Sequence, residues 1–205
     1  LAVKSVLVDL NDAAATLPNS YNSVENITPL ETPLSSTING AALATPVFLS
    51  LYAENDLRLD KYFAETDEKG FRKNKKAGSN NYLCTFRVGE IYLTAAEAAA
   101  RLGELSQART RLLELMRKRY APEAYEAKSV VVNAMDKEAL VQEILDERAR
   151  ELAFEGHRWF DLRRSTRPRL EKVLDGTRYV LEENDARYTL AIPKEAIEAN
   201  PGLLN

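Results

Sequence analysis

Glu143, Glu147, Glu151 and Glu155 stand four residues apart, with Arg148, Arg150 and Arg158 on their flanks. Paired carboxylates are the material of glycosidase chemistry, which needs one carboxyl kept protonated beside another kept ionised. Flanking arginines work against that division: they lower the pKa of each neighbouring carboxyl and suit ion pairs better than a general acid. His157 is the single histidine of the chain. A di-iron site needs two Glu-x-x-His motifs and a helical zinc site needs histidines at i and i+4, so neither can be assembled. His157 and Asp161 imitate half of a hydrolase triad, but no Gly-x-Ser-x-Gly elbow accompanies them, and no Gly-rich phosphate loop is present. Catalytic and metal-ligating residues are therefore expected to be none, no cofactor is expected, and His157 reads as a buried, hydrogen-bonded residue.

These residues ride on the stretch Asp136 to Arg164, the longest with a clean helical period. Leu140, Val141, Ile144, Leu145, Ala149, Leu152, Ala153, Gly156, Trp159 and Phe160 share one face. Asp136 is placed to cap the helix, and Pro168 bars its continuation. The spacing assigns Trp159 to core packing beside Phe160 rather than to stacking on a sugar. The glutamate row costs roughly 0.2–0.5 kcal/mol per like-charged pair if it faces water. A basic neighbour would relieve it, and Arg87, Arg101 and Arg111 are candidates. The spacing leaves that reading and a solvated charged face both open.

The other elements follow in order. Residues 2–17 read as a helix with Val3, Val6, Leu7, Leu10, Ala14 and Leu17 on one face, stopped by Pro18. Residues 18–45 are rich in Pro, Ser, Thr and Asn and read as a long loop. Pro46 can start a short helix, and Asp56–Phe63 suits a strand or turn. Lys69, Arg72, Lys73, Lys75 and Lys76 crowd a polar stretch that reads as a solvated loop rather than an anion contact. Asn81–Phe86 suits a strand. Two helices, about 86–102 and 105–119, are split by Gly103 at a left-handed helix end. Their small residues, including Ala96, Ala99 and Ala100, admit a close neighbour, most simply the helix at 136–164. Residues 123–135 read as a loop in which Val130–Val132 form a short buried strand. Thr177–Glu183 and Arg187–Ile192 flank Asn184-Asp185 as a β-hairpin, and Asn200-Pro201-Gly202 is a turn.

Composition narrows the class. The 205 residues are 45% apolar and 29% charged, with a net charge of −3, which suits a globular chain and argues against a nucleic-acid binder. No run of about twenty apolar residues could form a membrane span. The single cysteine, Cys84, precludes an intrachain disulfide and a cysteine-rich zinc site.

Four ordered stretches resemble one family. ERARELAFEGHRWFDLRR (Glu147–Arg164) is similar to the signature helix of the SusD/RagB family, the cell-surface nutrient-binding lipoproteins of Bacteroidota. RVGEIYLTAAEAAARLGELSQARTRLLELMRKR (Arg87–Arg119) resembles its tetratricopeptide-like helical pair. NDLRLDKYF (Asn55–Phe63) resembles its Asp-x-Arg element, and IPKEAIEANPGLLN (Ile192–Asn205) its ending. The resemblance marks Glu147, Arg148, Glu151, Phe154, Glu155, Gly156, Arg158, Trp159, Asp161 and Arg163 as the structural signature. It implies a mostly α-helical, SusD-like fold: a tetratricopeptide-like hairpin packed on a long signature helix, with loops and a small β-hairpin. It further implies a single SusD-like domain over 1–205 that corresponds to the C-terminal portion of longer family members, the family's N-terminal part being absent. An outward-facing outer-membrane location follows, with a lipid anchor not present in this chain. So do an oligosaccharide or other oligomeric nutrient as ligand and a SusC-like TonB-dependent transporter as partner, with no catalysis. A tetratricopeptide-like protein-interaction module is the first alternative and a glycoside hydrolase the second. Family ligand residues lie outside the signature motifs, so candidates come from loop chemistry: flat rings cover the apolar face of a sugar, and amides meet its hydroxyls. Tyr21, Asn22, Asn80, Asn81 and Tyr82 are those candidates.

Overall fold

The structure, a computed structural model, describes residues 6–30, 43–76, 84–174, 176–200 and 202. It is mostly helical and divides into two compact units, residues 1–157 and 158–205.

The first unit runs through strand β1 (Asn26–Leu30), β2 (Leu43–Ala44), helix α1 (Pro46–Leu49), α2 (Arg58–Tyr62), β3 (Phe63–Thr66), β4 (Arg72–Asn74) and β5 (Cys84–Arg87). Four longer helices follow: α3 (Val88–Leu102), α4 (Leu105–Met116), α5 (Pro122–Ala134) and α6 (Lys137–Glu151). β1 pairs antiparallel with β5, and β2, β4 and β3 form a second small antiparallel sheet. Gly103 ends α3 at φ 86°, where its missing Cβ removes the left-handed penalty, and the chain reverses into α4. α3 packs on both α4 and α6, as the alanine pattern predicts. Ala96, Ala99 and Ala100 of α3 are buried against a core of Leu93, Leu112, Leu115, Met116, Leu140 and Ile144. A second core gathers Val8, Leu10, Tyr52, Tyr62 and Phe63, with Phe48 and Phe154 packed at its side. Phe48, Tyr52, Phe63 and Phe154 meet edge to face there, at ring separations of 5.6–6.4 Å.

Several elements differ from the sequence reading. Residues 6–17 are not helical. Val8 and Leu10 are buried while Leu7 and Asp9 between them are only partly so, an alternation beneath an apolar spacing that also fits a helix. The Asp9 and Asp12 carboxylates accept the backbone N–H groups of Asn11 (3.1 Å) and Ala14 (2.8 Å), local bonds that compete with a helix. Part of the expected loop at 18–45 becomes β1. Asp56–Phe63, expected as a strand or turn, contributes a short helix: the Asp56 carboxylate accepts the Arg58 N–H at 3.0 Å and turns the chain. Residues 122–134 are helical because Pro122 occupies the first turn, where its missing N–H costs nothing. Of the three valines there, only Val132 is buried.

The long signature helix is interrupted. α6 ends at Glu151, and Phe154 (φ 61°) and Gly156 (φ 87°) take left-handed conformations before the chain reaches the second unit. The carbonyls left open at the end of α6 are met by cations. Lys76 Nζ donates to the carbonyls of Glu151 (2.6 Å) and Ala153 (3.3 Å), and Arg87 Nη2 donates to that of Glu151 (2.8 Å).

The second unit contains α7 (Arg158–Arg164), strands β6 (Leu170–Leu174) and β7 (Thr177–Leu181), a 3-10 turn (Ala186–Tyr188) and α8 (Lys194–Ala199). The β-hairpin exists but lies one strand earlier than expected. Leu174 pairs with Thr177, and Gly176 before Thr177 takes φ 76°. After Asn184 (φ 56°) the chain enters the 3-10 turn rather than a strand. Trp159 is half-buried, not in a core, and stacks on Tyr188 at 5.2 Å with rings 14° from parallel; Phe160 is exposed.

Candidate functional site

Of the alternatives left open for the glutamate row, the structure takes the basic neighbour. Glu147, Glu151 and Glu155 are all buried, and the cations facing them come from well-separated parts of the chain. Arg58 arrives on α2, where Asp56 holds its guanidinium from two sides (2.9 and 2.8 Å). It then reaches Glu147 at 2.7 Å and Glu151 at 3.1 Å. Arg87, the last residue of β5, bonds Glu151 (2.6 Å), Glu155 (2.9 Å) and Glu25 (3.1 Å). Arg119, just past α4, bonds Glu151 at 2.9 Å and Glu25 at 2.5 Å. Arg150 lies back along its own helix to meet Glu147 (2.8 Å) and Glu143 (2.5 Å). Lys76 closes the set on Glu155. Glu25, Asp56, Glu147, Glu151 and Glu155 face Arg58, Lys76, Arg87, Arg119 and Arg150, so five buried acids balance five buried cations.

The network also ties in neutral groups. Glu25 accepts the Val8 N–H at 2.8 Å, and Arg119 donates to the Val8 carbonyl at 2.5 Å, which ties the N-terminal segment to the network. The guanidinium of Arg58 lies 5.2 Å from the Tyr120 ring centre, and the Lys76 ammonium lies 4.4 Å from that of Tyr62. Gly89, at the start of α3, leaves the space the network fills. A Cβ there would stand 2.5 Å from Arg87 Nη1 and 3.1 Å from Glu151 Oε1.

The electrostatics follow from this geometry. Burial raises the Glu147 carboxyl, but Arg58 and Arg150 outweigh it and hold the group down at about 2. Burial acts the same way on Glu151 and Glu155. Arg119, Arg87 and Arg58 hold Glu151 well below the ordinary range, and Arg87 and Lys76 lower Glu155. Burial pushes the Lys76 ammonium down to about 8 against the pull of Glu155, which leaves it charged at neutral pH. Carboxylates this depressed do not donate protons at neutral pH, and their oxygens are engaged by guanidinium groups. The row is a fold-holding core.

Of the arginines proposed from sequence, Arg87 is in the network. Arg101 pairs instead with Glu97 (2.8 Å) and Arg111 with Glu114 (3.1 Å). Arg58 was marked only by the Asp-x-Arg resemblance, Lys76 was hidden in the basic run, and Arg119 ended a helix without a signal of its own. Glu25 lies in a polar stretch with no period to single it out. The solvated reading of the basic run holds for Lys69, Lys73 and Lys75, which are exposed, and fails for Lys76, whose side chain is 2% exposed.

The remaining signature residues have separate roles. Arg148 donates to the Thr94 hydroxyl at 3.2 Å, and Asp161 pairs with Arg164 at 2.7 Å. Arg158 is exposed and Arg163 half-buried. His157 is half-buried, with Nδ1 3.7 Å from Glu90 Oε1, too far for the hydrogen bond expected of it.

Tyr21 and Asn22 are exposed at the tip of a turn. Buried groups fasten that turn on both sides. Asn19 donates to the Lys76 carbonyl at 2.9 Å, Asn26 donates to the carbonyls of Ser20 and Tyr21, and Glu25 enters the network. Asn80, Asn81 and Tyr82 lie outside the described residues. Among the described residues, no helix is long and apolar enough to cross a membrane.

Comparison with known proteins places this geometry. A protein from Bacteroides thetaiotaomicron described as a SusD superfamily protein superposes with a TM-score of 0.70 at 21% identity, covering 97% of this chain and 51% of its own. A SusD-like carbohydrate binding protein from Bacteroides vulgatus gives 0.59 at 18% identity, covering 90% of this chain and 49% of its own. A SusD superfamily protein from Bacteroides fragilis gives 0.58 at 24% identity, covering 75% of this chain and 36% of its own. At these identities the likeness is one of fold, and the chain spans about half the length of these structures or less. No curated protein matches it by sequence. Residues 41–205, which contain nine of the ten charged residues of the buried network, match the sequence model of the SusD family, and the chain belongs to that family.

Proposed function

We propose that this chain serves in a cell-surface receptor of Bacteroidota. It binds an oligosaccharide or a similar oligomeric nutrient and delivers it, uncleaved, to a SusC-like TonB-dependent transporter. The receptor is held on the outer face of the outer membrane by a lipid anchor. The observation that carries this reading is the family match over residues 41–205. The buried network adds support: the signature acids are absorbed in ion pairs, so ligand contact is left to exposed loops. One structural neighbour is itself described as a carbohydrate binding protein.

The turn bearing Tyr21 and Asn22 is the described part of the proposed contact surface, with Asn80, Asn81 and Tyr82 as its further sequence candidates. A tyrosine ring at 53% exposure offers a face to a sugar, and the neighbouring amide meets its hydroxyls. Titration calorimetry against a panel of oligosaccharides, followed by chromatography of the recovered ligand, tests both halves. Binding with the ligand recovered intact is expected. Shortened products would overturn the receptor reading in favour of a hydrolase, and Tyr21→Ala with unchanged affinity would remove the named contact.

A further inference from the structure

A cleft of about 570 Å³ opens between the N-terminal segment and the helices α3, α4 and α5, and neither Tyr21 nor Asn22 lines it. That volume lies within the range of small-ligand sites. Leu7, Leu113, Tyr92 and Tyr125 form its apolar walls, and Thr110, Glu114, Arg117 and Lys118 are its polar groups.

The cations around this cleft are not equivalent. Lys118 pairs with Asp9 at 2.8 Å, and Arg111, which lies 5.7 Å from the Tyr92 ring centre, pairs with Glu114 at 3.1 Å. Arg117 lies 5.3 Å from the Tyr125 ring centre, and among the described residues no carboxylate pairs with it. A guanidinium resting on an aromatic face keeps its in-plane N–H groups available, and that fork matches a carboxylate in two bonds. Tyr125 thus holds a pre-set anion contact at the edge of an apolar-walled cleft.

We propose that this cleft is a second ligand site, specific for a sugar unit that carries a carboxylate, with Arg117 as the anion contact. The pyranose lies against Tyr92, Leu113 and Leu7. Glu114, whose carboxylate is paired with Arg111 at 3.1 Å, accepts bonds from sugar hydroxyls. The inference rests on the receptor reading and adds to it a preference for uronic-acid units at a place apart from the Tyr21 turn.

The test is calorimetry with galacturonic acid oligomers against galactose oligomers of equal length, on the parent chain and on Arg117→Gln. The acidic oligomers should bind about tenfold more tightly than the neutral ones, the worth of one charge-assisted contact. Arg117→Gln should bring the acidic oligomers down to the affinity of the neutral ones without lowering thermal stability, because Arg117 is exposed. Added salt should erode the same advantage. If neutral oligomers bind but acidic ones gain nothing, or Arg117→Gln leaves the gain intact, the second site falls and the receptor reading stands. If neither oligomer binds, the second site falls, and the receptor reading falls with it only if the wider oligosaccharide panel also fails to bind. An aspartate-rich peptide that binds more tightly than the acidic sugar, and depends on Arg117, would overturn the ligand class.

Discussion

Glu151→Gln is the sharpest perturbation of the buried network. Glu151 is fully buried, and its two oxygens accept from three arginines: Arg87 at 2.6 Å, Arg119 at 2.9 Å and Arg58 at 3.1 Å. Glutamine keeps the shape but removes the charge, and it turns one acceptor into a donor aimed at a guanidinium. The core is then left with one uncompensated positive charge. Removing one partner of a buried ion pair costs about 3–5 kcal/mol. Loss of a single bond to a charged group accounts for about 1.5–3 kcal/mol of that. Set against a total stability of roughly 5–15 kcal/mol, the loss is large. Urea is the denaturant of choice, since guanidinium chloride would screen the interaction being measured. Glu114→Gln, which breaks a pair 45% exposed on both sides, is the control and should stay within about 0.5 kcal/mol of the parent. A Glu151→Gln midpoint indistinguishable from that control would mean the row is solvated, and the account of the core would be wrong.

Acid should act through the same groups. Glu147, Glu151 and Glu155 titrate lower in the folded chain than their ordinary value of about 4.5, so they contribute stability above that pH. The contribution should drain away as pH falls from about 4.5 towards 2, the folded value of Glu147, as followed by circular dichroism at fixed urea. Gly89→Ala should destabilise, although alanine is the better helix former by about 1 kcal/mol, because Arg87 cannot leave the 2.5 Å contact without breaking its own pairs; a raised melting temperature would contradict this. Trp159→Ala should cost about 1–3 kcal/mol, the worth of a half-buried stacked ring, while Phe63→Ala in the aromatic core should cost about 3–5 kcal/mol. Equal losses in thermal denaturation would refute the distinction.

What could be read beforehand was what local spacing encodes. The α3–α4 hairpin, the Gly103 turn and the burial of an alanine face follow from apolar period and one glycine. The acidic row followed from spacing too, but its partners did not. Arg58, Lys76 and Arg119 reach Glu147, Glu155 and Glu151 from 89, 79 and 32 residues away, and no local pattern announces such pairings. The break after Glu151 was hidden because Leu152, Ala153 and Trp159 continue the helical spacing; only Gly156 hinted at it. The N-terminal segment misled for a related reason. Val6, Leu7 and Leu10 fit a helix, yet Glu25 and Arg119 take the Val8 N–H and carbonyl that a helix would use. The shifted hairpin could have been found: Asp175-Gly176 is a turn dipeptide in its own right.

The balanced core also constrains how such a sequence can change over time. Five acids against five cations leaves no charge to spare, so a single replacement strands its partner in a dry interior. Most one-step routes through these positions therefore pass through a variant too unstable to persist, and drift there must proceed by paired exchanges. The turn at Tyr21 and the cleft beside Arg117 carry no such debt, since neither Tyr21 nor Arg117 belongs to the balanced set. Variation is channelled to exposed surfaces such as these while the interior stands still.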